Sequence, residues 1–268
     1  MLDISNFKTV ISESSSKGNQ TKFYNNGYWY KLDSYNCQQG LAENFVSKLC
    51  DCIKDFPYVP YQSLQVLYKD EVYNACCSPN MYNPDVTFIS LRKLFKNNNI
   101  PLRIFTENEN ITSNIYNVLC KTEQLTGLDL LHYFNNLLFL DALILNEDRH
   151  YMNLGVCMSN NEYKIAPCFD NGSSLFCVNW TYRKTKSFQE NLDRAKSCAR
   201  PFSKFYDKQI KALQELKAQP IQINALALSY LLNTYNNKLY TKEQNQLIKN
   251  ILLARLNYYA YKEVFVYV

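Results

Sequence analysis

The run Asn146-Glu147-Asp148-Arg149-His150-Tyr151-Met152-Asn153 decides the reading of this chain, because of what stands on either side of it. Before it, residues 128–145 form the most apolar segment of the sequence. Leu130, Leu131, Phe134, Leu137, Leu138, Leu140, Ala142, Leu143, Ile144 and Leu145 leave little polar face. A helix that is apolar nearly all round belongs at the centre of a lobe. Its length approaches that of a membrane span, but His132, Asn135, Asn136 and Asp141 interrupt it, so a core helix is expected. After the run, Leu154 to Met158 and Tyr163 to Ala166 read as a hairpin around Asn160-Asn161.

Upstream, the chain reads as strands. Gln20 to Asn25 and Tyr28 to Asp33 flank Asn26-Gly27, a dipeptide whose positive φ angles suit a tight hairpin turn. Leu41, Phe45, Leu49 and Ile53 recur at helical spacing, with Glu43 on another face, and extended segments follow around Tyr58 to Tyr68 and Val72 to Cys77. From Phe88 the period becomes helical, at Phe88 to Phe95, Ile111 to Leu125 and then the apolar helix. Beyond a long polar stretch, helices are expected at Phe205 to Leu216, Ile223 to Tyr235 and Thr241 to Tyr261, the last opened by a Thr241/Gln244 capping box. The expectation is an α+β chain with a strand-rich N-terminal lobe, residues 1–80, a helical C-terminal lobe, residues 81–268, and a ligand cleft between them.

With 268 residues, 47% hydrophobic and 15% aromatic, the chain can bury a large core, and a disordered chain is not expected. No run reaches the roughly 18 apolar residues of a membrane span. Neither a membrane partner nor a targeting segment is expected, and the default location is cytoplasmic. The ten cysteines, including Cys50-x-Cys52 and Cys76-Cys77, fit no four-ligand zinc spacing and are expected to be reduced and mostly buried. A net charge of +5 with dispersed lysines fits a solvated surface rather than direct nucleic-acid binding.

Asp148 and Asn153 stand five apart, and Asp170-Asn171-Gly172 begins 17 residues beyond Asn153, across the hairpin. That is the spacing by which a phosphoryl-transfer site supplies one carboxylate to the attacking hydroxyl, and an amide oxygen and a second carboxylate to a metal. Such a site must neutralise the phosphoryl oxygens and hold attacker and leaving group in line. Magnesium takes hard oxygen ligands and only one or two protein carboxylates, which Asp170 and Asn153 satisfy. Arg149 and His150 stand beside the catalytic carboxylate, where Arg149 can pair with another acid and His150 can support the loop or touch the terminal phosphate. A polar loop merely capping the helix would contain similar residues, but the buried helix before it, the hairpin after it and the D-x-G at the right distance are independent context.

Asn146-x-Asp148-Arg149-His150-x-x-Asn153, followed by Ile165-Ala166-Pro167-Cys168-Phe169-Asp170-Asn171-Gly172, resembles the catalytic and metal loops of HipA-like Ser/Thr protein kinases. Phosphoinositide lipid kinases share D-R-H-x-x-N, but a glycine usually stands before their loop acid where this chain has Asn146. Ser15-Ser16-Lys17-Gly18-Asn19-Gln20-Thr21-Lys22 is similar to the family's serine-containing phosphate loop with its G-x-Q-x-K pattern. Lys31 matches the strand lysine that contacts ATP phosphates, and Glu43 the acid on the following helix. Cys76-Cys77-Ser78-Pro79-Asn80 resembles the hinge beside the adenine, which places recognition at backbone groups from Ala75 to Cys77, and Arg200-Pro201-Phe202 resembles a packing element. The similarity runs over residues 12–202. It implies a two-lobed protein-kinase-like fold with ATP and Mg2+ as cofactors, in compact members lacking the extra N-terminal subdomain of full-length HipA toxins. No G-x-G-x-x-G is present, as in that family and unlike ordinary eukaryotic kinases.

Three functions follow in order: a protein kinase, possible as a toxin restrained by an antitoxin protein; a kinase acting on a lipid headgroup or other small hydroxylated molecule; and a nucleotide-binding module without turnover. Lys31, Asp148, Asn153 and Asp170 together argue against the third. The resemblance also implies autophosphorylation of the serine-rich loop, with Ser15 the aligned candidate among Ser12, Ser14, Ser15 and Ser16. A phosphoserine there would bring about −1.5 to −2 charges against the ATP phosphates and be drawn toward basic groups such as Arg149.

Overall fold

The protein is described from a computed structural model covering residues 1–10, 20–81, 85–105, 110–178 and 181–268. Short strands β1 (Leu2–Asp3) and β2 (Lys8–Val10) precede the hairpin β3 (Lys22–Asn25) and β4 (Tyr28–Leu32), then helix α1 (Gln39–Cys50), β5 (Gln62–Tyr68) and β6 (Glu71–Pro79). These strands form one sheet in the order β1-β5-β6-β4-β3-β2, antiparallel except for β1 against β5. Asn26 and Gly27 both have positive φ, 48° and 81°, the backbone of a type I′ turn, so Asn25 faces Tyr28 and Lys22 faces Lys31. The expected hairpin is the one observed.

The larger lobe starts with β7 (Thr87–Ser90) and helices α2 (Leu91–Asn97), α3 (Ile111–Thr126) and α4 (Leu131–Ile144). Hairpin β8 (Gly155–Ser159) and β9 (Glu162–Ile165) follows, then α5 (Phe188–Arg194), α6 (Tyr206–Glu215), β10 (Ile221–Ile223), α7 (Ala225–Thr234), α8 (Lys242–Tyr259) and β11 (Phe265–Tyr267). Helix α4 is buried from Tyr133 to Ile144 and packs against α6 and α8, as its apolar sequence requires. The helix expected over Phe88 to Phe95 begins only at Leu91. Phe88 and Ile89 pair with β8 instead, and the Ser90 hydroxyl caps the helix by accepting the Lys93 N–H.

Helix α1 joins the two lobes. Leu41, Phe45, Val46 and Leu49 belong to the same core as α4, whereas the sheet keeps a small core of its own around Ile4, Phe23, Leu32, Val66 and Ala75. The α1–β5 connection is tied to the segment before Asp170 by backbone bonds between Val59 and Cys168, 2.9 Å, and between Cys168 and Pro57, 2.8 Å. Among the described residues, no helix is long and apolar enough to cross a membrane.

Candidate active site

Alternation along β4 turns Lys31 inward, where only 6% of its surface is exposed. A lysine is buried to that degree only with partners. Its Nζ lies 2.7 Å from Glu43 Oε1 and 2.7 Å from Asp170 Oδ1, and donates to the Tyr61 hydroxyl at 3.2 Å. Burial opposes the ammonium charge, but Asp170 and Glu43 override it and hold its pKa well above the ordinary value. Glu43 is fully buried on α1, and its Oε2 accepts the Asn171 N–H at 2.9 Å. One carboxylate thus fixes both the strand lysine and the Asp170-Asn171-Gly172 loop.

That loop is tightly seated. Asp170 has φ 61°, a left-handed conformation that Asp tolerates better than most side chains. A Cβ at position 172 would come within 3.0 Å of Gln39 Cβ, so glycine lets the loop pass beneath the start of α1. Burial alone would raise the Asp170 pKa, but Lys31 and Lys22 hold it well below the carboxylate range.

The loop after α4 is organised by its own amides. Leu145 ends the helix with φ 52°, the Asn146 side chain accepts the Asp148 N–H at 3.0 Å, and Asn153 Oδ1 accepts the His150 N–H at 2.9 Å. Asn153 Nδ2 donates to the Asp148 carbonyl at 3.1 Å. The Asp148 side chain is left 30% exposed, with His150 Nε2 4.0 Å from Oδ2. Burial lowers the His150 pKa against the opposing Asp170 charge.

Arg149 points the other way. It is 1% exposed; Nε and Nη2 each donate to Asp141 at 3.0 Å, Nη1 to the Phe169 carbonyl at 2.8 Å and Nη2 to Asn171 Oδ1 at 2.6 Å. It holds α4, the Asp148 loop and the Asp170 loop in one arrangement. Its donors are occupied and buried, so the expectation that Arg149 draws a phosphoserine out of the phosphate loop is corrected. Ser12, Ser14, Ser15, Ser16, Lys17 and Gly18 lie outside the described residues. Gln20 stands just before β3, with its Nε2 buried and unpartnered among the described residues.

Lys31 and Asp170 close the polar end of an interlobe cavity of about 310 Å3, which Lys22 also lines. Its walls are apolar: Trp29, Val59, Met81, Phe88, Met152 and Phe169. The expected hinge at Ala75 to Cys77 needs correction, because Ala75 and Cys77 sit inside β6 with β4 on one side and β5 on the other. Pairing with β5 stops at Cys77, and Ser78, Pro79 and Met81 line the cavity instead.

Several residues of the site were not picked out by sequence spacing. Tyr61 reaches it from a distant segment, and Asp141 from α4, eight residues before Arg149. Lys22 is half-buried opposite Lys31, and the G-x-Q-x-K pattern contained it. Glu147 is 1% exposed, and its carboxylate accepts from the Thr181 hydroxyl and the Cys198 thiol. Burial pushes its pKa up to about 7, with the neighbouring Asp148 charge acting in the same direction.

No protein-family model matches the chain, and no curated protein matches it. Among solved structures, the chain is similar to the Helicobacter pylori proinflammatory kinase CtkA, with TM-score 0.64 and 19% identity over 96% of this chain and 95% of that one. A match to a Shewanella oneidensis MR-1 HipA–HipB–operator DNA complex has TM-score 0.47 and 12% identity, covering 97% of this chain and 68% of that one. The six-stranded sheet over a helical lobe, with the cleft between them, is therefore the two-lobed kinase-like fold shared with CtkA.

Proposed function

We propose that this chain is an ATP- and Mg2+-dependent kinase of the HipA-like type, which transfers the γ-phosphoryl group of ATP to a Ser or Thr hydroxyl of a protein. The observation that carries this reading is the Lys31–Glu43–Asp170 network at the polar end of an apolar cleft, with Arg149 joining it to the Asp148 loop. Like charges placed directly opposite on paired strands repel. Lys22 and Lys31 occupy such positions, which suits a site that receives a polyphosphate.

The apolar walls take the base, and Lys31 and Lys22 take phosphate oxygens. Asp170 and the second lone pair of Asn153 Oδ1 would hold magnesium, which takes few protein ligands and completes its shell with water and phosphate. No cluster of three or more His, Cys, Asp or Glu side chains that could hold a metal occurs among the described residues, and this chemistry requires none. When bound, the ion neutralises charge on the phosphate oxygens. Asp148 orients the acceptor hydroxyl and receives its proton as the new P–O bond forms and the bond to the ADP oxygen breaks. Glu43 and Arg149 position these groups without touching substrate.

The ten cysteines form no disulfide, and a cytoplasmic site of action is part of this reading. The sequence resemblance attaches to this reading a role as a toxin restrained by an antitoxin protein, testable by expressing the chain with and without its neighbouring reading frame. The enzymatic reading is tested with γ-labelled ATP and magnesium. Wild-type protein should release ADP and label protein, while Asp148→Asn should fold and bind nucleotide but turn over at least about a hundredfold more slowly. Wild-type turnover in Asp148→Asn would end the assignment, and label on added lipid or metabolite alone would move it to the small-molecule class.

A further inference from the structure

The segment after the Asp170 loop carries a net charge equal to that of the whole protein, although lysines are spread along the rest of the chain. Residues 181–204 contain seven basic and two acidic side chains, a net +5, which equals the net charge of all 268 residues. The remainder of the chain is neutral by this count. All seven, Arg183, Lys184, Lys186, Arg194, Lys196, Arg200 and Lys204, are exposed.

This segment is fastened to the Asp148 loop on both sides of Asp148. On one side, the Glu147 carbonyl accepts the Cys198 N–H at 2.7 Å and the Ala199 N–H at 3.0 Å, and the Glu147 carboxylate accepts the Thr181 hydroxyl. On the other, the Tyr151 hydroxyl donates to the Pro201 carbonyl at 2.9 Å. Arg200 stands between these two tethers. Its φ of 50° is left-handed, a conformation that non-glycine residues keep only where their surroundings enforce it. The backbone is therefore pinned beside the reaction centre while the side chain is exposed. Lys186 pairs with Glu190 at 3.0 Å, but Lys184, Lys196 and Arg200 have no acidic partner among the described residues. A guanidinium carried on this pinned backbone, with an unpaired ammonium four residues away, suits carboxylates, which a guanidinium meets with two parallel hydrogen bonds.

We propose that the acceptor hydroxyl is recognised within an acidic peptide, with Arg200 and Lys196 binding carboxylate side chains that flank it. This rests on the kinase reading above and adds a substrate class to it. Successive residues of an extended peptide lie about 3.3 Å apart, so an acid one to three positions from the hydroxyl stands about 3 to 10 Å from it along the peptide.

The test uses three serine peptides of one length, flanked by Asp and Glu, by Gln and Ala, or by Lys. For each, ADP release and peptide labelling are measured with the full chain. The acidic peptide should exceed the neutral one in kcat/KM by about tenfold or more, mainly through KM, with an advantage that shrinks as salt rises. Arg200→Asp combined with Lys196→Glu should reverse the order in favour of the Lys-flanked peptide, a gain that misfolding cannot produce. Asp suits position 200 because it tolerates the left-handed backbone. Equal kcat/KM for the three peptides, or an acidic preference that survives the double substitution, would overturn the proposal. ADP release with label entering mixed phosphatidylcholine–phosphatidylinositol vesicles and no peptide would also overturn it, leaving phosphoryl transfer intact. Wild-type protein that releases no ADP and labels nothing would overturn the kinase reading itself, and this proposal with it.

Discussion

Replacing Glu147 by glutamine should remove a pH dependence from the stability of the protein. The carboxyl is 1% exposed and is hydrogen-bonded by the Thr181 hydroxyl and the Cys198 thiol. Burial is the main reason its pKa rises from 4.5 to about 7, and the adjacent Asp148 charge adds to it. The folded protein then binds this proton more tightly than the unfolded chain does. Its contribution to stability is fully present below about pH 4.5 and is lost as pH rises to and through about 7. At about 1.36 kcal/mol per pH unit, that interval corresponds to a loss of about 3 kcal/mol.

Glutamine presents the same shape without a charge at any pH. Its oxygen can still accept the Thr181 hydroxyl, while the weaker Cys198 contact is altered. Urea unfolding of wild type and Glu147→Gln, at several pH values from about 5 to 8, measures the difference. The two should be close near pH 5, and the variant should be more stable near pH 8 by up to about 3 kcal/mol. Asp33, raised by burial to about 6 against the opposing bonds from the Gly40 N–H and the Tyr240 hydroxyl, adds a slope of the same sign. That slope is common to both proteins and cancels in the comparison. Equal slopes for the two proteins, or a variant less stable at every pH, would refute the reasoning.

Asp141→Ala should destabilise the protein by about 3–5 kcal/mol in the same assay, because it leaves the buried Arg149 charge uncompensated. A cost below about 1 kcal/mol would mean that Arg149 does not hold the site together. In thermal-shift measurements with ATP, Asp170→Ala should abolish the magnesium-dependent stabilisation and Asn153→Ala should weaken it, since only Asp170 brings a formal charge; unchanged magnesium dependence in both would place the metal elsewhere. Mass spectrometry after incubation with ATP should find phosphate on Ser12, Ser14, Ser15 or Ser16 in wild type and none in Asp148→Asn, and unmodified serines in an active enzyme would reject loop autophosphorylation.

What could be read of the fold was whatever short stretches specify by themselves. Asn26-Gly27 announces its turn, and the density of apolar residues over 131–144 announces the central helix. Elements made by distant partners left no such mark: β10 and β11 are three residues each and exist because Ile221 meets Phe265. The error at Phe88 came from a helical period extended backward past its cap, since Ser90 three residues before Lys93 marks where the helix opens. Helix α5 carries a Ser187/Glu190 capping box, a sequence-visible start signal inside a stretch too polar to show a period.

The same division governs the site. The Asp148, Asn153 and Asp170 pattern is legible as a spacing along the chain, whereas Tyr61 enters through packing of a remote segment and Asp141 through its pairing with Arg149. Lys22 belongs to neither group. Once a two-residue turn is placed at Asn26-Gly27, the register follows by counting: Asn25 meets Tyr28, Tyr24 meets Trp29, Phe23 meets Tyr30 and Lys22 meets Lys31. Side chains directly opposite on an antiparallel pair share a face. A lysine already assigned to the cleft therefore places its partner on the cleft side as well. Such a like-charge pair is unfavourable unless anions attend it. Glu43 and Asp170 attend Lys31 directly, and the field of Lys22 reaches Asp170. Two acids therefore face two lysines at this end of the cleft, and that is what lets the like-charged pair stand on one face of the hairpin.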